Sequence, residues 1–386
     1  MNIPYGKQDI DDSDLEAVIS TLKSDWLTQG PLVGDFEKAI SKKCGAQYAC
    51  ATNSATSALH IACLALGLRK GDTLWTSPNT FVASANCAIY CNAKVDFVDI
   101  DPATFNICTN ALEKKLIEAE RENNLPKAIV PVHFGGLSCD MEHIYRLSEK
   151  YGFKIIEDAS HAIGSTYKDY PVGSCKFSDI TIFSFHPVKI ITTGEGGMAL
   201  TNNEELASRL ESFRTHGITR DSQSMIGESE GPWFYQQINL GFNYRITDIQ
   251  AALGLSQHKR LDEFVKRRNE LAKRYKKEFQ NLEIRFQEVS TDNVSAYHLF
   301  VINLLNAEDI KNRKNIFTSL RDAGIGANVH YIPVHYHPFY KSLGFSKGDF
   351  PISEKYYDSA ISLPMFPGLK EEDQDFVIEN IKNLIN

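Results

Sequence analysis

Short apolar runs alternate with segments of helical period along most of this chain. Residues 48–52, 74–76, 94–98, 128–132, 154–158 and 180–185 read as strands, with helices predicted between them at 55–68, 80–90 and 141–151. Two helices precede this alternation. The first spans 10–23, with Asp residues at its start and Leu15, Val18, Ile19 and Leu22 in one stripe. The second spans 32–44 and follows a loop through Gly30-Pro31. Residues 206–213 read as a further helix, and 218–235, polar and Gly-rich, as a mobile loop. Thr247 or Asp248 then caps a strongly charged helix that starts at 249 and runs towards 279, bridging into a second domain. Beyond 280 the pattern gives strands at 296–304 and 327–331 and helices at 314–323 and 372–385. The expected fold is α/β: a large domain, residues 1–255, with a mostly parallel sheet between helices, and a smaller C-terminal α+β domain, residues 256–386. In such sheets ligands bind beyond the carboxyl ends of the strands.

Composition narrows the class. The 386 residues exceed one ordinary core, and 42% hydrophobic with 23% charged residues is the balance of a soluble globular protein. A net charge of -8 argues against nucleic-acid and anionic-membrane partners. The opening Met1-Asn2-Ile3-Pro4-Tyr5-Gly6-Lys7 carries no apolar signal core, and no stretch approaches the roughly 20 apolar residues of a membrane span. A cytoplasmic protein is expected. The 8 cysteines form no CxxC pair and read as small core residues, Cys87 and Cys91 being spaced to share a helical face. His330, His335 and His337 lie close together without a strong ligand signature, so no metal is expected.

Three strand ends carry candidate chemistry. The strand 180–185 leads to Lys189, set between Pro187 and the glycine-rich Gly194-Glu195-Gly196-Gly197. A lysine at a cavity edge loses water and its pKa falls, as a Schiff-base lysine requires; taken alone, a loop lysine is more often solvated. The strand 154–158 ends on Asp158. The strand 48–52 leads into Asn53-Ser54-Ala55-Thr56 at a helix start, where N–H groups, hydroxyls and the helix dipole favour phosphate, although the same residues serve equally as an ordinary N-cap. Phe81 is an aromatic that either joins the core or covers a flat ring. Pyridoxal phosphate (PLP) needs a lysine for its aldehyde, a carboxylate for its ring nitrogen, donors for its phosphate and an apolar cover. Lys189, Asp158, Ser54 to Thr56 with Ser184, and Phe81 are the candidates in turn. Each signal is weak by itself; their joint order is more specific.

With these residues in place, the chain resembles the sugar-nucleotide aminotransferases, a branch of the aspartate-aminotransferase-like (fold type I) PLP-dependent transferases. The N-terminal matches are Leu27-Thr28-Gln29-Gly30-Pro31, Asn53-Ser54-Ala55-Thr56-Ser57-Ala58-Leu59 and Glu157-Asp158-Ala159-Ser160-His161-Ala162. Then come Phe183-Ser184-Phe185-His186-Pro187-Val188-Lys189, Gly194-Glu195-Gly196-Gly197 and Arg214-Thr215-His216-Gly217. Asn243-Tyr244-Arg245, His330-Tyr331-Ile332-Pro333 and Ser362-Leu363-Pro364 complete the family order. Within the family, Ile3-Pro4-Tyr5-Gly6-Lys7-Gln8 with Leu27-Thr28-Gln29-Gly30 and His186-Pro187-Val188-Lys189 is most similar to the branch acting in pseudaminic-acid synthesis.

The resemblance implies roles. Lys189 carries PLP and later shuttles protons, Asp158 pairs with the pyridine nitrogen, His161 approaches the ring hydroxyl and Phe81 stacks on the ring. Ser54, Ala55 and Ser184 hold the phosphate, with Asn243 reaching it from a neighbouring subunit, so a homodimer with shared sites is implied. Tyr5, Leu27, Thr28, Gln29, Gly30, His330, Tyr331, Ile332 and Pro333 are implied to line a nucleotide-sugar site. The implied reaction moves an amino group from L-glutamate to the 4-keto carbon of a UDP-linked 2-acetamido-dideoxy sugar, with Arg214 and Arg245 as candidate partners of the glutamate carboxylate. An aminotransferase acting at sugar carbon 3 stays open, as does a non-catalytic regulatory protein of the same fold. Dehydratase relatives replace the lysine by His, and here Lys189 is present.

Overall fold

The computed structural model describes residues 2–305 and 310–385. Its central sheet has seven strands: β1 (Tyr48–Thr52), β2 (Thr73–Thr76), β3 (Lys94–Phe97), β4 (Ala128–Val130), β5 (Lys154–Asp158), β6 (Ile180–Ser184) and β7 (Gly197–Thr201). Their order is β1-β7-β6-β5-β4-β2-β3. β7 pairs antiparallel with β1 and β6 and every other pairing is parallel, so β7 alone runs against the rest.

The helices are α1 (Asp12–Leu22), α2 (Pro31–Cys44), α3 (Ala55–Ala65), α4 (Ala83–Tyr90), α5 (Thr109–Arg121), α6 (Met141–Tyr151) and α7 (Glu204–Arg214). Then follow α8 (Asp248–His258), α9 (Leu261–Glu278), α10 (Ile310–Asp322), α11 (Pro338–Ser342), α12 (Pro351–Ser359) and α13 (Glu371–Ile385). Strand alternation explains the layers. Leu74, Val130 and Ile156 enter a core with α3 and α4, whereas Trp75, Ile129 and Ile155, one residue away, enter the opposite core with α5 and α6. Phe36 and Ile40 of α2 meet Phe183 and Met198 in a third cluster.

A second antiparallel sheet, β8 (Ile284–Phe286), β9 (Phe300–Leu304) and β10 (Ala360–Leu363), has its own core. Tyr275 from α9 and Phe279, which caps its end, pack there with Ile302, Ile361 and Ile381, and Ile3 joins them from the N-terminal segment. Among the described residues no helix is long and apolar enough to cross a membrane.

Several elements depart from the pattern. The helix expected from 249 to 279 is two helices, broken at Lys259 and Arg260. Arg260 sits among three carboxylates, 2.7 Å from Asp9, 3.1 Å from Asp11 and 2.6 Å from Asp14. That cluster also inverts α1: Asp14 is fully buried and takes Gln257 Nε2 at 2.6 Å, while Leu15, Ile19 and Leu22 of the apolar stripe face outward. Residues 327–331 are not a strand. They make a single bridge, Asn328 to Ser362, with backbone bonds of 3.1 and 2.8 Å. The strand predicted from 296 begins at Phe300, and the helix predicted from 80 begins at Ala83. α5 and β7 are absent from the pattern: in α5 charged residues crowd Leu112 and Leu116, and β7 begins on a glycine. Ile218–Thr219 and Gln236–Gln237 form a short antiparallel ladder whose intervening residues include the exposed Ile226 and Trp233.

Candidate active site

The carboxyl ends of β1, β5 and β6 open onto one cavity of about 780 Å³. This is the edge at which a parallel sheet leaves room between its diverging crossover loops. Ser54, Ala55, Thr56, Phe81, Asp158, His161, Ser184 and Lys189 all line it, with Tyr5, His330 and Tyr331.

Lys189 lies on a loop pinned at both ends. Phe185 N–H donates to Gly196 O at 2.9 Å, and its carbonyl accepts Thr193 N–H at 3.0 Å and Thr192 Oγ1 at 2.9 Å. The lysine side chain is half-buried because it faces the cavity. Burial lowers its pKa from 10.5 to about 8, against the opposing pull of the Asp158 carboxylate. A lysine so placed is neutral for a useful fraction of the time near neutral pH and serves as nucleophile or base.

Asp158 ends β5 and is buried. Ser84 Oγ donates to its Oδ2 at 2.6 Å, and Ser160 N–H donates to its Oδ1 at 3.1 Å. The two bonds fix the plane of the carboxylate. His161, three residues on, accepts Gly135 N–H on Nδ1 at 3.3 Å, so its neutral ring carries the proton on Nε2, 3.1 Å from Tyr331 Oη. Burial, then Lys189 and His330, holds the His161 pKa well below its usual value, which keeps that neutral tautomer. His330 is pushed down to about 3 by burial and by Lys189. His298, whose ring centre is 4.3 Å from that of His161, shares the same suppression.

Across the cavity, Ser54 caps α3 through Ser57 N–H at 3.1 Å. The first-turn amides of Ala55 and Thr56 are at a free helix start, at its positive end. Gly197 makes this cradle possible: a Cβ there would lie 2.4 Å from Ala55 N and Ser54 C. Phe81 is 60% exposed at the rim, its ring centre 6.3 Å from that of Tyr331. The donor set fits PLP, with an anion cradle, a carboxylate for the ring nitrogen and a depressed lysine in one cavity.

Not every predicted residue arrives here. Gln29 and Gly30 line a separate cavity of about 280 Å³ with Glu37, Arg214, Thr215 and Arg245. Gly30 is held by Asp248, whose carboxylate accepts Gly30 N–H at 2.7 Å and Leu32 N–H at 3.0 Å, while Thr247 supplies the cap of α8. Leu27 and Ile332 are exposed, and neither they nor Thr28, Pro333 and Asn243 line the Lys189 cavity. Arg214 is committed to Glu37 at 2.5 Å and to Ala51 O at 3.0 Å, which removes it as a free carboxylate partner. Ser84, in contrast, was not among the predicted residues; the loop entering α4 brings Thr80 Oγ1 to 2.8 Å from its hydroxyl. Among the described residues no group of three or more His, Cys, Asp or Glu side chains is placed to hold a metal ion.

Comparison with known proteins gives this geometry a class. The fold is that of the PLP-dependent sugar aminotransferases. Helicobacter pylori PseC, an aminotransferase involved in the biosynthesis of pseudoaminic acid, superposes with a TM-score of 0.92 at 31% identity, over 100% of this chain and 99% of that one. Residues 8–382 match the DegT/DnrJ/EryC1/StrS aminotransferase family, and the chain belongs to it. It is 39% identical to the UDP-4-amino-4,6-dideoxy-N-acetyl-beta-L-altrosamine transaminase of Campylobacter jejuni, over 99% of this chain and 97% of the relative. It is 40% identical, over the same shares, to the spore coat polysaccharide biosynthesis protein SpsC of Bacillus subtilis. The protein is a PLP-dependent sugar aminotransferase.

Proposed function

We propose that the enzyme moves the amino group of L-glutamate to the 4-keto carbon of a UDP-linked 2-acetamido-dideoxy sugar, in the making of pseudaminic acid or a related surface sugar. The observation that carries the reading is the one cavity joining Lys189, Asp158 and the start of α3. The likeness to the altrosamine transaminase supports the choice of sugar and nucleotide.

PLP, when bound, supplies an electron sink for the carbon that loses or gains a proton. The rest belongs to the chain. Lys189 would hold the cofactor's aldehyde carbon, and its neutral Nζ would take the proton from the donor's α-carbon and deliver one to sugar carbon 4. Asp158 would keep a proton on the ring nitrogen. Ala55 and Thr56 amides with the Ser54 and Ser184 hydroxyls would grip the phosphate. Phe81 and His161 would fix the ring plane, with Tyr5, His330 and Tyr331 beside the sugar.

The working unit in this reading is a homodimer. Gln29, Gly30, Asn243 and Arg245 would reach the cavity of a second copy, where Arg245 would meet the glutamate carboxylate. Support comes from the outward apolar residues Leu15, Ile19, Leu22 and Leu27 on the same chain.

The test is a panel of UDP-linked 4-keto and 3-keto sugars with L-glutamate, read by mass spectrometry and by 2-oxoglutarate release. Amination at carbon 4 supports the reading. Amination only at carbon 3, or of no UDP-linked keto sugar, contradicts it.

A further inference from the structure

Behind the acid end of the cavity lies a short chain of hydroxyls. Thr80 Oγ1 is 2.8 Å from Ser84 Oγ, and Ser84 Oγ is 2.6 Å from Asp158 Oδ2. Ser84 is fully buried in the first turn of α4, and Thr80 lines the cavity beside Phe81. An ionised carboxylate only accepts, so Ser84 aims its proton at Asp158 and its lone pair takes the proton of Thr80. The chain therefore has one direction, from Thr80 through Ser84 to Asp158. Charge-assisted bonds of this length, away from bulk water, are strong and cooperative. The second carboxylate oxygen is tied to the Ser160 amide, so the plane of the acid is fixed at two points. The titratable groups lining the same cavity are Lys189, Tyr331, His161, His330, Tyr5, His186 and, at its edge, Glu195; none of them is in hydrogen-bond contact with Asp158.

We propose that Ser84, oriented by Thr80, is a positioning residue for amino transfer: it holds the Asp158 carboxylate in one orientation, facing the PLP ring nitrogen, so that this nitrogen stays protonated. The inference rests on the reading of Asp158 given above. Without the Ser84 hydroxyl one of the two points that fix the carboxylate is lost, its oxygen strays from the ring nitrogen, the proton there is held less well, and the ring withdraws electrons less well.

The experiment compares Ser84→Ala, Thr80→Val, Ser84→Thr and Asp158→Ala with the wild type, all loaded with PLP. It reads the pH midpoint of the visible band of the cofactor joined to Lys189, together with kcat and the KM for the keto sugar. Ser84→Ala is expected to move the midpoint to higher pH and to lower kcat roughly tenfold or more, with KM within about twofold. Thr80→Val moves both in the same direction by less, and Ser84→Thr, which keeps the hydroxyl, stays closer to wild type than Ser84→Ala. A Ser84→Ala enzyme with wild-type midpoint and kcat overturns the proposal, as does a fall in kcat with an unmoved midpoint, which marks a packing role. If Asp158→Ala alters both readouts while Ser84→Ala alters neither, this inference alone fails. If Asp158→Ala alters neither, the reading of Asp158 fails.

Discussion

The two cavities that hold predicted site residues differ in what one chain supplies. The larger gathers Lys189, Asp158, Ser54, Ala55, Ser184, Phe81 and His161. The smaller gathers Gln29, Gly30, Arg214 and Arg245, and shares no lining residue with the first. Among the described residues lining the larger cavity, Lys189 is the only one with an ammonium or guanidinium group. A cofactor needs mostly local contacts, and parallel strand ends converge to give them. A nucleotide diphosphate and a dicarboxylate each call for paired cationic donors, which this cavity lacks. The difference teaches that one cavity gathers the lysine, the carboxylate and the helix start that a phosphate-bearing cofactor needs, while the guanidinium groups of Arg214 and Arg245 border a different one.

Breaking the first cavity has the largest expected effect. Lys189→Ala should lower turnover by at least roughly a thousandfold, since both the covalent hold and the proton shuttle go. Its melting temperature should stay within a few degrees of wild type, and a variant that still turns over ends the assignment.

The second cavity sharpens the comparison. Arg245→Ala should raise the KM for L-glutamate roughly tenfold or more while leaving PLP loading intact. Mixing Lys189→Ala with Arg245→Ala under subunit exchange should restore about a quarter of wild-type activity, because hybrid dimers carry one intact site. No recovery from such a mixture would place Arg245 with its own chain's Lys189 or outside catalysis.

A smaller effect separates two amphipathic helices of equal length. In α6 the apolar residues Ile144 and Leu147 are buried, whereas in α1 Ile19 and Leu22 are exposed. Ile19→Asp with Leu22→Asp should leave the chain folded but shift light scattering towards monomer, while Ile144→Asp should unfold it. A doubly substituted α1 with an unchanged mass would remove the apolar face as support for the dimer.

The smallest effect is on stability against pH. The folded pKa of Lys189, about 8, lies below its ordinary 10.5, so between these values the unfolded chain holds a proton that the folded chain has lost. Stability of the cofactor-free wild type relative to Lys189→Met should therefore rise with pH across that window. Denaturant titrations at stepped pH check it, and a flat difference would show an unperturbed lysine.

How much was legible follows the same division. β1 and β5 stand where their apolar runs predict, because strands buried on both faces read as continuous apolar stretches. Asp158 was legible because it ends such a strand, and Lys189 because the loop that carries it follows another. β7 was not, since its Gly196-Gly197 start reads as a turn until the close approach to Ser54 and Ala55 explains it. The break at Arg260 was hidden because its cause, the Asp9, Asp11 and Asp14 cluster, lies far away in sequence. Ser84 was missed because a serine inside a small-residue helix has no pattern of its own. Leu27, Thr28, Gln29 and Gly30 were picked out by family likeness alone, and periodicity cannot say on which cavity such a loop borders.

The account stands most directly on one reading: the visible absorbance of the PLP-loaded protein as L-glutamate is added without any sugar. It predicts that the band of the cofactor joined to Lys189 disappears and that about one 2-oxoglutarate forms per chain, then stops until a keto sugar is supplied. A loaded protein whose band does not change with L-glutamate, or that releases no 2-oxoglutarate, would contradict it.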